Sequence, residues 1–395
     1  MKSKKKIVLA YSGGLDTSII LKWLQENYNA EVICYTADIG QAINKKKIIR
    51  NARKFGVKKI IIENLKDTFV KDYVYPMIRG HAMYEGVYLL GTSIARPLIA
   101  KRQIAVAKKF KAYAVSHGST GKGNDQVRFE LGYHYFGAKI KIIAPWRIWK
   151  LNSRTDLLKY AKNNNISVPK DKKGAPPFSI DDNLYHTSTE GKILENPKNA
   201  APEFVYQRTV SPEKAPNKNS FVTIGFNNGD PISVGGKKLS PGNLLEKLNI
   251  IAGKNGIGRV DLVENRFIGI KSRGIYETPG GTLLMVAHRA IESVTLDKET
   301  MHQKDKIMPL YAELIYNGYW YSKARFKLQK IVDLKKNKVN GSVKLKLYKG
   351  NITIMSRQTK SSAYSLKKVS FEENKTFNKS NIERFINFHK KKLRS

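Results

Sequence analysis

The sequence of 395 residues holds one cysteine, Cys34, and no run of 18 apolar residues. The first absence excludes internal disulfides and CxxC metal sites. The second leaves no segment to cross a membrane as a helix. Cys34 lies in Val32-Ile33-Cys34-Tyr35, where a buried structural thiol is expected, and this cysteine usage points to the cytoplasm. The seven histidines show no metal-ligand spacing, so no protein-bound metal is expected. No nucleophile elbow surrounds any serine, which disfavours acyl-enzyme chemistry. Neither a G-x-x-x-x-G-K-[ST] loop nor a G-x-G-x-x-G turn after a strand occurs. Acidic residues are scarce, 32 against 72 basic ones, for a formal charge of +40. The excess is mostly lysine (55 of the 72) and runs along the whole chain, with abundant Asn and Ile. That spread reads as compositional drift rather than a nucleic-acid groove, although its field would draw anionic ligands. The segment Met1–Lys6 leads into a strand without a signal peptide's cleavage region.

What is present begins with Ile7-Val8-Leu9-Ala10-Tyr11-Ser12-Gly13-Gly14-Leu15-Asp16-Thr17-Ser18. Ile7–Ala10 suits a central parallel strand. Gly13 and Gly14 permit a tight turn and close approach of a ligand to the backbone. Asp16, Thr17 and Ser18 suit an early helical turn, and Ile19, Ile20, Leu21, Trp23 and Leu24 extend an apolar stripe. A helix N-terminus behind a glycine turn presents unpaired N–H groups and a positive dipole end, an anion site best suited to phosphates. The string resembles the pyrophosphate-binding loop of ATP pyrophosphatases, which split ATP between the α and β phosphates. The bland alternative is a strand, a turn and a serine-capped helix.

The first 165 residues alternate strand and helix. Strands are expected at 7–10, 31–36, 59–63, 112–116 and 139–143, and helices at 15–27, 43–55, 94–110, 125–136 and 154–163. Pro97 suits the opening turn of its helix, and Ser153 with Asp156 has capping-box spacing. This alternation makes the fold class α/β, a parallel sheet with helices on both faces. Ligands then bind beyond the carboxyl ends of the strands, where Ser12–Ser18, Asp38–Gln41 and His117–Asn124 all fall. A polar, proline-bearing stretch, 169–177, marks a boundary. Beyond it the pattern is α+β: strands at 221–226, 261–270, 343–348 and 351–355, helices opened by Ser240-Pro241 and over 301–316, and an amphipathic tail from Ser380 to Leu393. The expected domains are 1–168 for nucleotide binding, 169–365 for synthesis and oligomerisation, and 366–395 as a helical arm. The arm carries Ile382, Phe385, Ile386 and Phe388, suited to docking on a neighbouring subunit or on its own domain.

A second informative stretch runs from Ser116 to Glu130, SHGSTGKGNDQVRFE. Its three glycines let the backbone approach a ligand. Asn124 and Arg128, four apart, share a helix face, with Asp125 adjacent. Asp125 can hold an ammonium and Arg128 a carboxylate through two parallel hydrogen bonds, a combination suited to amino acids. A capped, salt-bridged helix start is the plain alternative. In Tyr84–Pro97, Ser93 suits an N-cap. Phe178–Ser188 and Asp261–Thr282 are polar for segments so rich in strand formers; the latter suits a site-lining hairpin.

Together the strings AYSGGLDTS, LLGTSIARP, SHGSTGKGNDQVRFE and VENRFIGIKSRGIYETPGGT resemble the argininosuccinate synthase family, in the same order over most of the chain. The resemblance implies ATP-dependent ligation of L-citrulline and L-aspartate through a citrullyl-adenylate, with release of AMP and pyrophosphate. It implies Mg2+ with the nucleotide and a homotetramer; the spread of charge and the lack of a long apolar run lead to the expectation of neither nucleic-acid nor membrane partners. It implies that Ala10, Tyr11, Ser12, Gly13, Gly14, Leu15, Asp16, Thr17 and Ser18 hold ATP, with Ala37 and Gly118 nearby. Tyr88, Ser93, Asn124, Arg128, Ser179, Ser188, Glu264 and Tyr276 would surround citrulline. Thr120, Asn124 and Asp125 would hold aspartate. Asp16 and Asp125 are the residues expected to serve catalysis, and no histidine is placed to be a base. Val87 and Asp182 depart from the family's usual basic residue and glutamate, at positions without a ligand role. A tRNA-modifying enzyme with the same ATP loop is the alternative; the charge favours it, and the amino-acid-suited cluster at Asn124, Asp125 and Arg128 opposes it.

Overall fold

The computed structural model describes residues 4–121, 123–151, 153–168, 178–369 and 379–393. The strands are β1 (Lys6–Ala10), β2 (Glu31–Asp38), β3 (Ile60–Asn64), β4 (Ala114–Ser116), β5 (Lys141–Ile143), β6 (Ser179–Asp182), β7 (Thr187–Glu190), β8 (Ser220–Asn227), β9 (Asp230–Val234), β10 (Lys237–Lys238), β11 (Arg259–Asn265), β12 (Lys271–Glu277), β13 (Gly341–Tyr348) and β14 (Asn351–Gln358). The first five form one parallel sheet in the order β3-β2-β1-β4-β5. β1 is central, and Ile7, Val8 and Leu9 are fully buried. Side chains alternate along a strand. Ile7 and Leu9 accordingly join one apolar cluster with Ile19, Ile20, Leu21 and Leu24 of the helix Leu15–Tyr28. Val8 joins a second cluster with Ile33, Ile94 and Leu98. Chain order reverses where β2 and β4 flank β1, which opens a crevice at the carboxyl end of β1. The helix Leu15–Tyr28 ends at Asn29 in the left-handed region (φ 43). Helix Arg154–Asn163 starts on the expected capping box, Ser153 accepting from the Asp156 amide and Asp156 from the Ser153 amide.

One expectation fails in the helix Gly91–Lys109. It begins three residues before Ile94, with Leu90 at the N-cap in the left-handed region (φ 60), so Ser93 is not the cap. Pro97 therefore lies inside the helix rather than in its opening turn. Buried Leu90, Ile94, Ala95 and Leu98 pull this turn into the core, and packing overrides the proline signal.

Beyond residue 178 the sheets are antiparallel, one ordered β10-β9-β8-β13-β14 and one β11-β12-β7-β6. The expected strand over 261–270 ends at Asn265, and a turn returns the chain as β12; the hairpin pairs Arg259 with Glu277 and Asn265 with Lys271. The segment Pro279-Gly280-Gly281, read as part of a glycine-rich hairpin, opens the buried helix Pro279–Thr295. Its Gly281 leaves room for the ring of Tyr185, which a Cβ would meet at 2.4 Å. Helices Pro241–Lys254 and Lys298–Tyr316 form where expected. One core cluster runs from Val8 and Ile94 to Val222, Leu283 and Leu345, joining the parallel sheet to the second half. The stretch 169–177 lies outside the described residues. Cys34 is fully buried, and burial pushes its thiol pKa up. In the tail helix Lys379–Lys392, Ile382, Phe385, Ile386 and Phe388 are exposed. Among the described residues no helix is long and apolar enough to cross a membrane.

Candidate active site

The turn after β1 is built from glycine geometry. Gly13 has φ +76, and a Cβ there would sit 2.9 Å from Cγ1 of Ile48 on the helix Lys45–Lys54. Asn51 of that helix donates to the Gly13 carbonyl at 3.1 Å. Gly14 is the N-cap of Leu15–Tyr28 and has no side chain to cap it, while the Ser12 hydroxyl accepts from the Gly14 amide at 3.3 Å. Ser12 and Thr17 pair their hydroxyls at 3.0 Å across the turn. Ser18 donates to the Gly14 carbonyl at 2.7 Å and lies 3.2 Å from the Tyr11 hydroxyl. The loop thus presents backbone N–H groups, small hydroxyls and one helix dipole end.

A cleft of about 720 Å³ opens at this turn. Its wall includes Ala10, Tyr11, Ser12, Gly14, Leu15, Asp16 and Thr17, then Ala37 at the end of β2 and Gly118 after β4. Thr120, Asn124, Asp125 and Arg128 follow from the next loop and helix Asp125–Gly137. The second half supplies Ser179 (β6), Ser188 (β7), Glu264 (β11) and Tyr276 (β12), and Tyr88 completes the wall. Three residues expected at ligands do not line it. Gly13 faces Ile48, and Ser18 turns to Gly14 and Tyr11. Ser93 is fully buried, and its hydroxyl has no hydrogen-bond partner among the described residues. All three are next in the chain to wall residues, Gly13 to Ser12 and Gly14, Ser18 to Thr17 and Ser93 to Thr92.

Charge is concentrated at Asp125. Arg96 reaches its Oδ2 from Nε (2.9 Å) and Nη2 (2.7 Å), and Arg128 reaches Oδ1 at 3.0 Å. The same Arg96 Nη2 lies 2.5 Å from Asp181. Burial would raise the Asp125 pKa, but the two guanidinium groups override it and hold the carboxyl below its ordinary value. Arg128 is partly engaged within the chain. Its Nε and Nη2 both donate to the Tyr316 carbonyl (2.9 and 2.8 Å), so that fork is not open to a substrate carboxylate. One N–H on each Nη remains for a ligand. Glu264 is buried with Oε2 unpartnered among the described residues. Burial pushes its pKa up against the pull of Arg128. Tyr88 stacks on Tyr276 with ring centroids 4.6 Å apart. The Asn124 Oδ1 accepts from the Phe267 amide at 3.1 Å, which ties the hairpin turn to the glycine loop.

Sequence reading gave no role to Arg96, Asp181, Glu190 and Arg266, all in the wall, whereas the loop that carries the wall residue Gln41 falls at the crevice as expected. Arg96 and Asp181 stood in quoted segments, but nothing local tells a side chain that points into a cleft from one on a solvated face. Among the described residues the wall holds no lysine and no histidine. His117 is buried against Glu130 (3.2 Å), and His186, bonded to Thr278, has its pKa lowered by burial to about 3.

The family model described as Arginosuccinate synthase N-terminal HUP domain matches residues 6–167, and that described as Arginosuccinate synthase C-terminal domain matches residues 178–395. The chain belongs to the argininosuccinate synthase family. It is 89% identical to the argininosuccinate synthase of Pelagibacter ubique (strain HTCC1062) over the full length of both chains. It is 56% identical to those of Granulibacter bethesdensis (100% of this chain, 95% of that one) and Ehrlichia canis (99% and 100%). A solved NH3-dependent NAD synthetase from Campylobacter jejuni is similar over 42% of this chain and 66% of that one, at 16% identity. Its TM-score of 0.29 is too low to bear on the fold. Membership makes the chain an ATP-using C–N ligase of arginine biosynthesis. Nothing among these matches supports the tRNA-modifying alternative.

Proposed function

We propose that the cleft turns the ureido oxygen of citrulline into a leaving group and then admits the amine of aspartate. A ureido carbon is a poor electrophile because its nitrogens donate electron density. Citrulline's oxygen attacks the α-phosphorus of ATP, giving a citrullyl-adenylate and pyrophosphate. The aspartate amine attacks the activated carbon, AMP departs, and argininosuccinate is formed. Phosphoryl transfer of this kind needs mainly alignment and charge neutralisation. The turn Ser12–Ser18 supplies both for the departing pyrophosphate, with Ala10 and Tyr11 before it and Ala37 and Gly118 beside the nucleotide. Mg2+ would come with the nucleotide and neutralise its phosphates, and Asp16, Ser12 and Thr17, which line the cleft there, would offer it hard oxygen donors.

Tyr88, Asn124, Arg128, Ser179, Ser188, Glu264 and Tyr276 surround citrulline in this reading, with the unpartnered Glu264 oxygen suited to an ammonium. Thr120, Asn124 and Asp125 receive aspartate. Gly13, Ser18 and Ser93 act from beside wall residues, by shaping the turn and the floor. The single observation that carries the reading is the convergence of the uncapped helix terminus, the glycine loop and the β11–β12 hairpin on one cleft.

We further propose a cytoplasmic homotetramer in which residues 1–168 bind the nucleotide, residues 169–365 build the substrate site and the subunit contacts, and residues 366–395 form an arm. The exposed stripe Ile382, Phe385, Ile386 and Phe388 supports a docking role for that arm. Sedimentation equilibrium tests the assembly, with a four-chain mass expected and a monomer contrary. AMP formation with each substrate omitted in turn, with and without tRNA, tests the activity. Dependence on citrulline and aspartate and indifference to tRNA is the expected result; a requirement for tRNA would overturn it.

A further inference from the structure

An aspartate amine arrives as an ammonium and must lose a proton before it can attack. The wall of the cleft, among the described residues, offers neither histidine nor lysine to take it. Of its other carboxylates, Asp181 pairs with Arg96, Asp182 with Arg208 and Glu190 with Arg266 (2.7 Å), Asp16 lies in the phosphate turn, and Glu264 is taken up by the citrulline ammonium in the proposed site. A lone carboxylate at position 125 would make matters worse. An opposite charge within about 4–6 Å favours the charged form of its neighbour by about 1–3 pKa units, so it would grip the ammonium proton. Asp125 is not alone. Arg96 from helix Gly91–Lys109 and Arg128 from its own helix hold one oxygen each.

We propose that the Arg96–Asp125–Arg128 clamp lets Asp125 orient the aspartate amine while cancelling the pull that would keep it protonated, so that no protein base is needed. The inference rests on the reading that Asp125 receives the aspartate ammonium. Carboxylate lone pairs left over by the clamp accept the amine's N–H groups, and two cations a little farther away offset the carboxylate's charge. The ammonium releases one proton to solvent. The neutral nitrogen's lone pair then bonds to the ureido carbon, the bond from that carbon to the adenylate oxygen breaks, and AMP leaves with the electron pair. The nitrogen sheds a second proton, which leaves the guanidinium of the product. Other groups facing the clamp are Asp181 on β6, Glu264 on β11 and the phenols of Tyr88 and Tyr316. Asp181 shares the Arg96 Nη2 with Asp125, and Glu264 acts on Arg128. Arg96 is the member of the clamp without a proposed substrate contact, and it works through Asp125.

The test is the pH profile of argininosuccinate formation at saturating ATP, citrulline and aspartate in wild type, Arg96→Gln and Arg96→Lys. The rising limb should move to higher pH by about one unit or more in Arg96→Gln, with activity recovering toward pH 9.5. In Arg96→Lys, which keeps the charge, the limb should move by less than half as much. Pyrophosphate exchange into ATP with citrulline alone shows that each variant is folded and adenylates. A limb at the wild-type pH with a lower plateau, or a raised KM for aspartate with an unmoved limb, would overturn the proposal. So would disappearance of the limb in Glu264→Gln, which would make Glu264 the base. Failure of the wild-type enzyme to form argininosuccinate would instead remove the underlying reading of the site, and the clamp with it.

Discussion

Asn51 donates its side-chain amide to the Gly13 carbonyl at 3.1 Å. With Ile48 pressed under the same glycine, it fastens the phosphate turn to the helix Lys45–Lys54. The turn is therefore set before the nucleotide arrives, and its φ of +76 at Gly13 is one that a side chain rarely adopts. Gly13→Ala combines a disfavoured φ with a contact under 3 Å and should raise the KM for ATP at least tenfold. Asn51→Ala should raise it a few-fold. Steady-state kinetics with ATP varied checks both, and unchanged values in Gly13→Ala would show that the turn's shape does not matter.

Asp16 and Asp125 lie in the same cleft but on different loops. Asp16→Ala should abolish exchange of labelled pyrophosphate into ATP with citrulline present and aspartate absent. Asp125→Ala should retain much of that exchange and lose argininosuccinate formation by 100-fold or more. Equal loss of exchange in both variants would contradict the division of labour.

Gly91 is a packing position. A Cβ there would fall 2.0 Å from Cβ of His186, and the Gly91 carbonyl accepts from Asn183 at 3.1 Å. Gly91→Ala must push the 183–188 loop away from its helix, at a cost of about 1–3 kcal/mol. Urea unfolding measures the loss; a midpoint equal to wild type would show that the contact relaxes freely.

Two buried histidines tie stability to pH. His186 and His288 are both driven by burial to pKa values of about 3, below the ordinary 6.5. The unfolded chain binds their protons first. Their contribution is therefore complete above about pH 6.5 and is lost as the pH falls toward 3. Each should remove on the order of 1 kcal/mol per pH unit across that window. Urea unfolding between pH 7 and 5 should show this slope, reduced in His186→Gln; a flat profile would contradict it.

Much of this architecture could be read before any coordinates. The alternation from Ile7 to Ile143 fixes the parallel sheet because each strand is short, apolar and followed by a helix that starts on polar or glycine residues. The phosphate turn is legible because its chemistry is local: two glycines, hydroxyls and a helix start lie within seven residues. Helix Pro279–Thr295 was hidden because Pro-Gly-Gly reads as a turn, while burial beside Tyr185 makes it the start of a helix. Ser93 and Pro97 were misplaced for the same reason, since tertiary packing sets where helix Gly91–Lys109 begins. Arg96 shows the limit most clearly. Its two partners, Asp125 and Asp181, stand far from it in the chain, and no local pattern joins 96 to them.

The central claim is that citrulline's ureido oxygen attacks the α-phosphorus. Citrulline labelled with 18O at that oxygen, incubated with ATP and aspartate, tests it most directly. The label should appear in the phosphate of AMP, one atom for each argininosuccinate formed. Unlabelled AMP beside argininosuccinate, or label recovered in pyrophosphate or orthophosphate, would contradict the account.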